Sequence, residues 1–196
     1  MKAKIKTVEE LFVIIKDLKK RGNKVVSTSG CFDIIHAGHV TYLEEAKSKG
    51  DILVVLLNSD ASVRGLKGDE RPIVSQNERA IVLAGLESVD YVCVFDESTP
   101  CKMISILQPN SFIKGGDYRG THIPEMDVMT PYGGEVEYVD YVSGCSTTEI
   151  IERVKGGIYG KKNVCFCSRQ NRNCWKSCRS STWNSCNRQF KAGHFC

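Results

Sequence analysis

Residues 51–58 read DILVVLLN. Six apolar side chains stand in a row between Asp51 and Asn58, with no polar residue among them to face water. A strand with one wet face alternates, whereas a strand covered on both faces reads as a continuous apolar run. The run is too short for a buried helix, and β-branched valines sit at its centre. These residues predict an interior strand of a parallel sheet, so the rest of the chain must supply helices for both faces.

The flanking sequence does so. Upstream, Thr7-Val-Glu-Glu10 is a capping box. Val8, Leu11, Phe12, Ile15 and Leu18 give the helix that follows one apolar face, and Gly22 ends it. Lys24 to Thr28 predicts a short strand, then a turn at Ser29-Gly30, then a helix from about His36 to Lys49, stopped by Gly50. Downstream, SDASVRGLKGDERP (59–72) reads as a polar connection. Ser75 to Glu78 is a second capping box, opening a helix through about Glu87. Tyr91 to Asp96 is a third strand, and Thr99-Pro100 opens a helix with proline at the first helical position. Ser111 to Lys114 and Val136 to Val142 complete five strands. Ser146 to Glu149 is a third capping box, starting a last helix that ends at Gly156-Gly157. Strands alternating with helices of this length predict an α/β fold: a Rossmann-like, doubly wound, parallel five-stranded sheet with helices on both faces and right-handed crossovers.

Composition sets further bounds. The chain has 196 residues, 41% hydrophobic and 26% charged, which suits a globular protein with a real core. It has no apolar run of membrane-spanning length. The apolar stretch LFVII is too short and too closely flanked by charge for a secretory signal, so a cytoplasmic protein is expected. The net charge of +4 hides an asymmetry. Residues 161–196 carry eight Lys or Arg and no acid, leaving 19 basic and 23 acidic side chains in residues 1–160. Six of the ten cysteines also fall in that last segment, with spacings that include no C-x₂-C pair, so a zinc ribbon fits poorly. The expected division is an α/β domain of residues 1–158 and a basic, Cys-rich tail of residues 159–196 that is disordered or non-native, with nucleic-acid binding not expected.

Doubly wound sheets bind ligands beyond the carboxyl ends of their strands, where strand order reverses. The segments there are Thr28 to His39, Asn58 to Lys67, Lys114 to Tyr118 and Gly144 to Thr148. They are rich in donors and include two helix starts, which suit phosphate. His36 and His39 would share one face of a first helical turn, with Gly38 between them allowing close approach to the backbone. Three chemistries are open to the pair: metal ligation, which lacks an evident third ligand; general base catalysis; and donation to an anion. Cys31 has a nucleophile's surroundings but no orienting third residue, and is read as a small residue filling the turn. Arg79 lies in a first helical turn, where a cation opposes the helix dipole, so a phosphate or carboxylate partner is expected.

GCFDIIHAGHVTYLEEAKSKGD, NSDASVRGLKGDERPI, NERAIVLAGLESVDYV, FDESTP, QPNSFIKGGDY and GCSTTEII follow one another in this order. Together they resemble the HxGH-type nucleotidyltransferases, the cytidylyltransferase-like superfamily, over roughly residues 7–155. The set looks most like the domain that adenylates heptose 1-phosphate, often fused to a sugar kinase. The resemblance implies in-line attack of a sugar phosphate on the α-phosphorus of ATP, with Mg²⁺ accompanying the nucleotide and no direct protein ligand assigned to it. A cytidylyltransferase acting on glycerol 3-phosphate or a similar alcohol phosphate, and a non-catalytic nucleotide-binding protein, are the alternatives. His36, His39 and Lys67 would be catalytic. Gly30, Cys31 and Phe32 would offer backbone N–H groups to phosphates, beside Asp33, Gly38 and Asn58. Arg71 would neutralise phosphate, and Lys114 and Asp117 would meet nucleobase, ribose or sugar. Ser146, Thr147 and Thr148 would donate to the β- and γ-phosphates. Relatives of this kind lead us to expect a homo-oligomer, most simply a dimer.

Overall fold

The computed structural model describes residues 2–140 and 146–155. Their elements run α1 (Val8–Lys20), β1 (Val25–Gly30), α2 (Ala37–Ser48), β2 (Ile52–Asn58), α3 (Asp60–Lys67), α4 (Gln76–Gly85), β3 (Tyr91–Phe95), α5 (Cys101–Leu107), β4 (Ser111–Gly115), α6 (Pro124–Met129), β5 (Glu135–Val139) and α7 (Thr147–Lys155). The five strands form one parallel sheet in the order β3-β2-β1-β4-β5.

The apolar run that predicted an interior strand is β2, and its side chains divide between two cores. Leu53, Val55 and Leu57 pack with Leu43 and Ala46 of α2 and with Ala80, Leu83 and Ala84 of α4. Val54 and Leu56 pack on the other face with Leu11 and Ile15 of α1, Met103, Ile104 and Leu107 of α5, and Met129 of α6. The Rossmann-like reading therefore holds: a pleated strand sends successive side chains to opposite faces, and helices cover both. Each fully buried Leu or Val here contributes roughly 1.5–3 kcal/mol relative to exposure.

Local chemistry fixes the boundaries. Both halves of the Thr7–Glu10 and Ser75–Glu78 capping boxes are formed. The segment 59–72 is more ordered than its polarity suggested. Ser59 caps α3 by accepting from the Ser62 N–H at 3.2 Å, and only Ser62 and Val63 of that helix are buried. Pro100 is the N-cap of α5 rather than its first residue. Helix α6 was not foreseen. Strand β5 covers 135–139, and the rest of its expected span to Val142 lies mostly outside the described residues, as do the 158/159 division and the tail.

Strand β1 pairs with β2 as far as Gly30 but with β4 only as far as Thr28↔Ile113. Beyond that point β1 and β4 diverge. The Ile113 carbonyl oxygen there accepts from the Thr28 hydroxyl and the Tyr42 phenol, each at 3.0 Å, tying β1, α2 and β4 together beneath a crevice. Successive strands step outward from β1 through β2 to β3, and the chain then returns to the far side of β1 to form β4. The crevice is therefore the topological switch point, where such sheets bind ligands.

Candidate active site

A cleft of about 810 Å³ opens at this switch point. Its lining includes Gly30, Cys31, Phe32, Asp33, His36, Gly38, His39, Asn58, Lys67, Arg71, Lys114, Ser146, Thr147 and Thr148. Asp117 is exposed on the turn after β4 and is not part of that lining.

The turn after β1 is tightly built. Phe32 adopts φ +43°, a left-handed conformation that a bulky residue rarely takes, and its ring is buried. A Cβ on Gly30 would lie 2.9 Å from that ring, so only glycine leaves room for it. His36 is the N-cap of α2, in extended conformation and with no side-chain cap bond. The first N–H groups of α2 therefore remain uncapped by a side chain at the cleft.

His36 and His39 stack with ring centroids 3.8 Å apart and 25° between planes. The Phe32 ring lies 5.3 Å from His39. Both Nδ1 atoms are buried with no hydrogen-bond partner among the described residues. Burial, followed by the neighbouring His36, pushes His39 down to about 4 against a weaker opposing pull from the Ile34 backbone. Burial lowers His36 as well. Near neutral pH both imidazoles are therefore uncharged, each carrying one N–H. The two Nδ1 atoms are closed off by the surrounding protein, so a ligand in the cleft would meet the rings at Nε2. No cluster of three His, Cys, Asp or Glu side chains suited to a metal occurs among the described residues.

Asp33 faces the cleft but is held from the other side. It accepts from Arg71 Nε at 2.6 Å, from the Ile73 N–H and from the Val74 N–H at 2.8 Å. Burial alone would raise its carboxyl, but these donors outweigh it and hold Asp33 below the usual carboxylate range. It thereby fastens the 71–74 loop to the β1 turn. Lys67, the last residue of α3, is exposed and has no ion pair among the described residues. Asn58 is buried and donates to Ser62 Oγ at 2.9 Å. Thr147 Oγ1 donates to the Ile34 carbonyl at 3.4 Å, which brings the start of α7 to the histidine turn. Burial pushes the Cys31 thiol up despite nearby Lys67, Arg79 and Arg71, so it is not an activated thiolate.

Arg79 has the carboxylate partner its position demanded. Only 1% exposed, it donates from Nη2 to Asp60 Oδ1 at 2.7 Å, from Nε to the Val74 carbonyl at 2.9 Å, and from Nη1 to the Cys31 carbonyl. One guanidinium thus joins the β1 turn, the start of α3 and the loop before α4 without entering the cleft lining. Sequence reasoning missed Glu125, which is 3% exposed and accepts from Lys114 Nζ at 2.7 Å. It also missed the Ser98–Pro100 loop in the lining, and it did not single out Leu66 or Tyr118 within the segments it placed there. A motif reading had no means of finding Glu125, because its position is set by the unforeseen α6.

No helix among the described residues is long and apolar enough to cross a membrane. The chain is 52% identical over 155 residues to the "Bifunctional protein HldE" of Geotalea uraniireducens, covering 79% of this chain and 32% of that protein. It is 53% identical over 152 residues to the protein of the same name from Geobacter metallireducens, covering 78% of this chain and 31% of the other. The chain thus spans about a third of the length of these relatives. A solved structure, "Crystal structure of the lipopolysaccharide core biosynthesis protein from Thermoplasma volcanium GSS1", superposes with a TM-score of 0.51 at 28% identity, covering 62% of this chain and 98% of that one. The profile of one family, described as cytidylyltransferase-like, matches residues 27–153, from within β1 through most of α7. That span holds the whole switch-point cleft and well over half of the sequence, and the chain belongs to the cytidylyltransferase-like family of nucleotidyltransferase enzymes.

Proposed function

We propose that the protein transfers AMP from ATP to a sugar 1-phosphate, most specifically heptose 1-phosphate, giving an ADP-sugar and pyrophosphate. The observation that carries this reading is the stacked, uncharged histidine pair that lines the cleft beside an uncapped helix start. Its likeness to heptose 1-phosphate adenylyltransferase domains, and to a solved protein titled for lipopolysaccharide core biosynthesis, supports the acceptor.

In this reading a phosphate oxygen of the sugar phosphate attacks the α-phosphorus in line. The bond from that phosphorus to the bridging oxygen breaks, and pyrophosphate leaves. The nucleophile is already anionic, so no base is required and no covalent enzyme intermediate forms. The work left to the protein is alignment and the offsetting of charge on the α-phosphate and leaving group. His36 and His39 donate N–H bonds to the phosphates, and the first N–H groups of α2 add to them. Lys67, on its exposed helix end, supplies an unpaired positive charge. Ser146, Thr147 and Thr148 donate to the outer phosphates from the start of α7. Gly30, Cys31 and Phe32 present backbone to the nucleotide, with Gly38 and Asn58 beside them. Arg71, tied to Asp33, holds its guanidinium at the cleft wall.

Mg²⁺, when bound with the nucleotide, would be held mainly by its phosphates and by water and would supply positive charge to the leaving pyrophosphate. Asp33, Asp60 and Glu125 are each already engaged by a cation. A cytoplasmic location, where ATP is supplied, accords with this reading, and light scattering tests the expected homodimer.

The deciding experiment measures pyrophosphate release from ATP, CTP, GTP and UTP against a panel of sugar and alcohol phosphates. Release with ATP and heptose 1-phosphate is expected. Release only with CTP moves the assignment to a cytidylyltransferase for an alcohol phosphate, and none with any pair leaves a non-catalytic nucleotide-binding protein.

A further inference from the structure

We infer that Lys114 and Glu125 form a subsite for a vicinal pair of hydroxyls, an inference that rests on the nucleotidyltransferase reading above. Glu125 stands in the first turn of α6, almost wholly buried, yet it belongs to the cleft lining. One of its oxygens, Oε1, accepts from Lys114 Nζ at 2.7 Å. No other donor reaches this carboxylate among the described residues. Lys114 Nζ also lies 4.9 Å from the centre of the Tyr118 ring and 5.7 Å from that of Phe112.

Taking a carboxylate and an ammonium out of water is costly, and apolar residues of similar size would fill the same space at least as well. A pair kept at the wall of a cleft therefore points to a ligand. The charges cancel, so this end of the cleft does not attract phosphate as Lys67 does on the opposite side of β1. What it offers is one strong acceptor and one strong donor side by side. Adjacent hydroxyls match that pattern: one gives its proton to Glu125, and the oxygen of the next accepts from Lys114. Tyr118, 39% exposed, gives the C–H face of a ring sugar an apolar surface. Both substrates of the proposed reaction carry such hydroxyls, on the ribose of ATP and on the ring of the sugar phosphate.

The test uses the full chain and removes hydroxyls from the ligand before touching the protein. Values of kcat/KM are measured for ATP against 2′-deoxy-ATP and 3′-deoxy-ATP, and for heptose 1-phosphate against its ring-deoxy analogues. With wild-type protein, one set of analogues should lose roughly 10- to 100-fold, mainly in KM. In Glu125→Gln that penalty should shrink to about threefold or less. The double variant Glu125→Gln/Lys114→Gln leaves no lone buried charge and should show the same collapse, which guards against misfolding of the single variant. Collapse in the ATP arm assigns the subsite to ribose, and collapse in the other arm assigns it to the acceptor sugar. No penalty in either arm, or a penalty undiminished in both variants, overturns the inference. If no substrate pair turns over, the proposed function has failed on its own. The subsite is then judged by calorimetric binding of the same ligands and analogues, where equal affinity for each ligand and its deoxy forms overturns it.

Discussion

Removing the titratable ring of His39 should flatten the acid side of the stability profile. Burial holds this imidazole at about 4, against an ordinary value of 6.5. The unfolded chain therefore takes up a proton at this position below pH 6.5, while the folded protein does not until about pH 4. Stability is fully present above the unfolded value and is lost as pH falls from there toward the folded one. Across the whole window the loss amounts to about 3 kcal/mol, and by about pH 5 it has reached roughly 2 kcal/mol, an upper value because the ring is only partly screened from water. The depressed carboxylates do not blur this window. Asp33 and Glu137 contribute stability that is lost only as pH falls through and below their ordinary values of 3.8 and 4.5. Urea unfolding of wild-type protein and His39→Gln, at about pH 7.5 and about pH 5, measures the difference. Wild type should lose about 1–2 kcal/mol more than the variant between the two conditions. Equal losses would refute the idea that a neutral, desolvated His39 is built into the unliganded protein.

The other predictions concern the site and its supports. His39→Ala should lower turnover roughly 10²- to 10³-fold while circular dichroism shows an unchanged fold, as expected for loss of a donor to developing charge; near-normal turnover would remove the histidines from the chemistry. Arg79→Met should destabilise the protein by about 3 kcal/mol or more in urea titrations, because the Cys31 and Val74 carbonyls and Asp60 lose their shared donor at once. Leu56→Ala on β2 should cost about 2–5 kcal/mol, read in the same titrations, since its side chain is fully buried in one of the two cores. Deleting residues 159–196 should leave kcat and KM unchanged, and a zinc-dependent loss of folding on deletion would show that the tail had been misread.

The sheet was legible because its signals are local. A six-residue apolar run, capping boxes at Thr7 and Ser75, and glycine stops need no knowledge of distant residues. The location of the cleft followed from topology alone, since strand ends at a switch point are where such sheets bind ligands. The Arg79 partner was legible in kind, because the helix dipole demands an anion, but not in identity, because Asp60 stands nineteen residues upstream. Helix α3 was obscured by its charge and its shortness: five of its eight residues are exposed, and Asp60, Arg64 and Lys67 break up its few apolar positions. The Lys114–Glu125 pair was hidden for the opposite reason. A glutamate beside a proline in a six-residue helix looks like an ordinary exposed first turn, and only the tertiary fold buries it.

The way Asp33 is held sets what the neighbouring loop can tolerate. Two of its three donors are main-chain N–H groups, those of Ile73 and Val74, and Ile73 is more than half exposed. The carboxylate recognises backbone there, so it does not discriminate among the side chains attached to it. Position 73 should therefore accept almost any residue, and a fluorophore-bearing cysteine or a charged solubilising residue could be introduced beside the cleft without loosening it. Proline is the exception, since it alone removes the N–H that Asp33 holds.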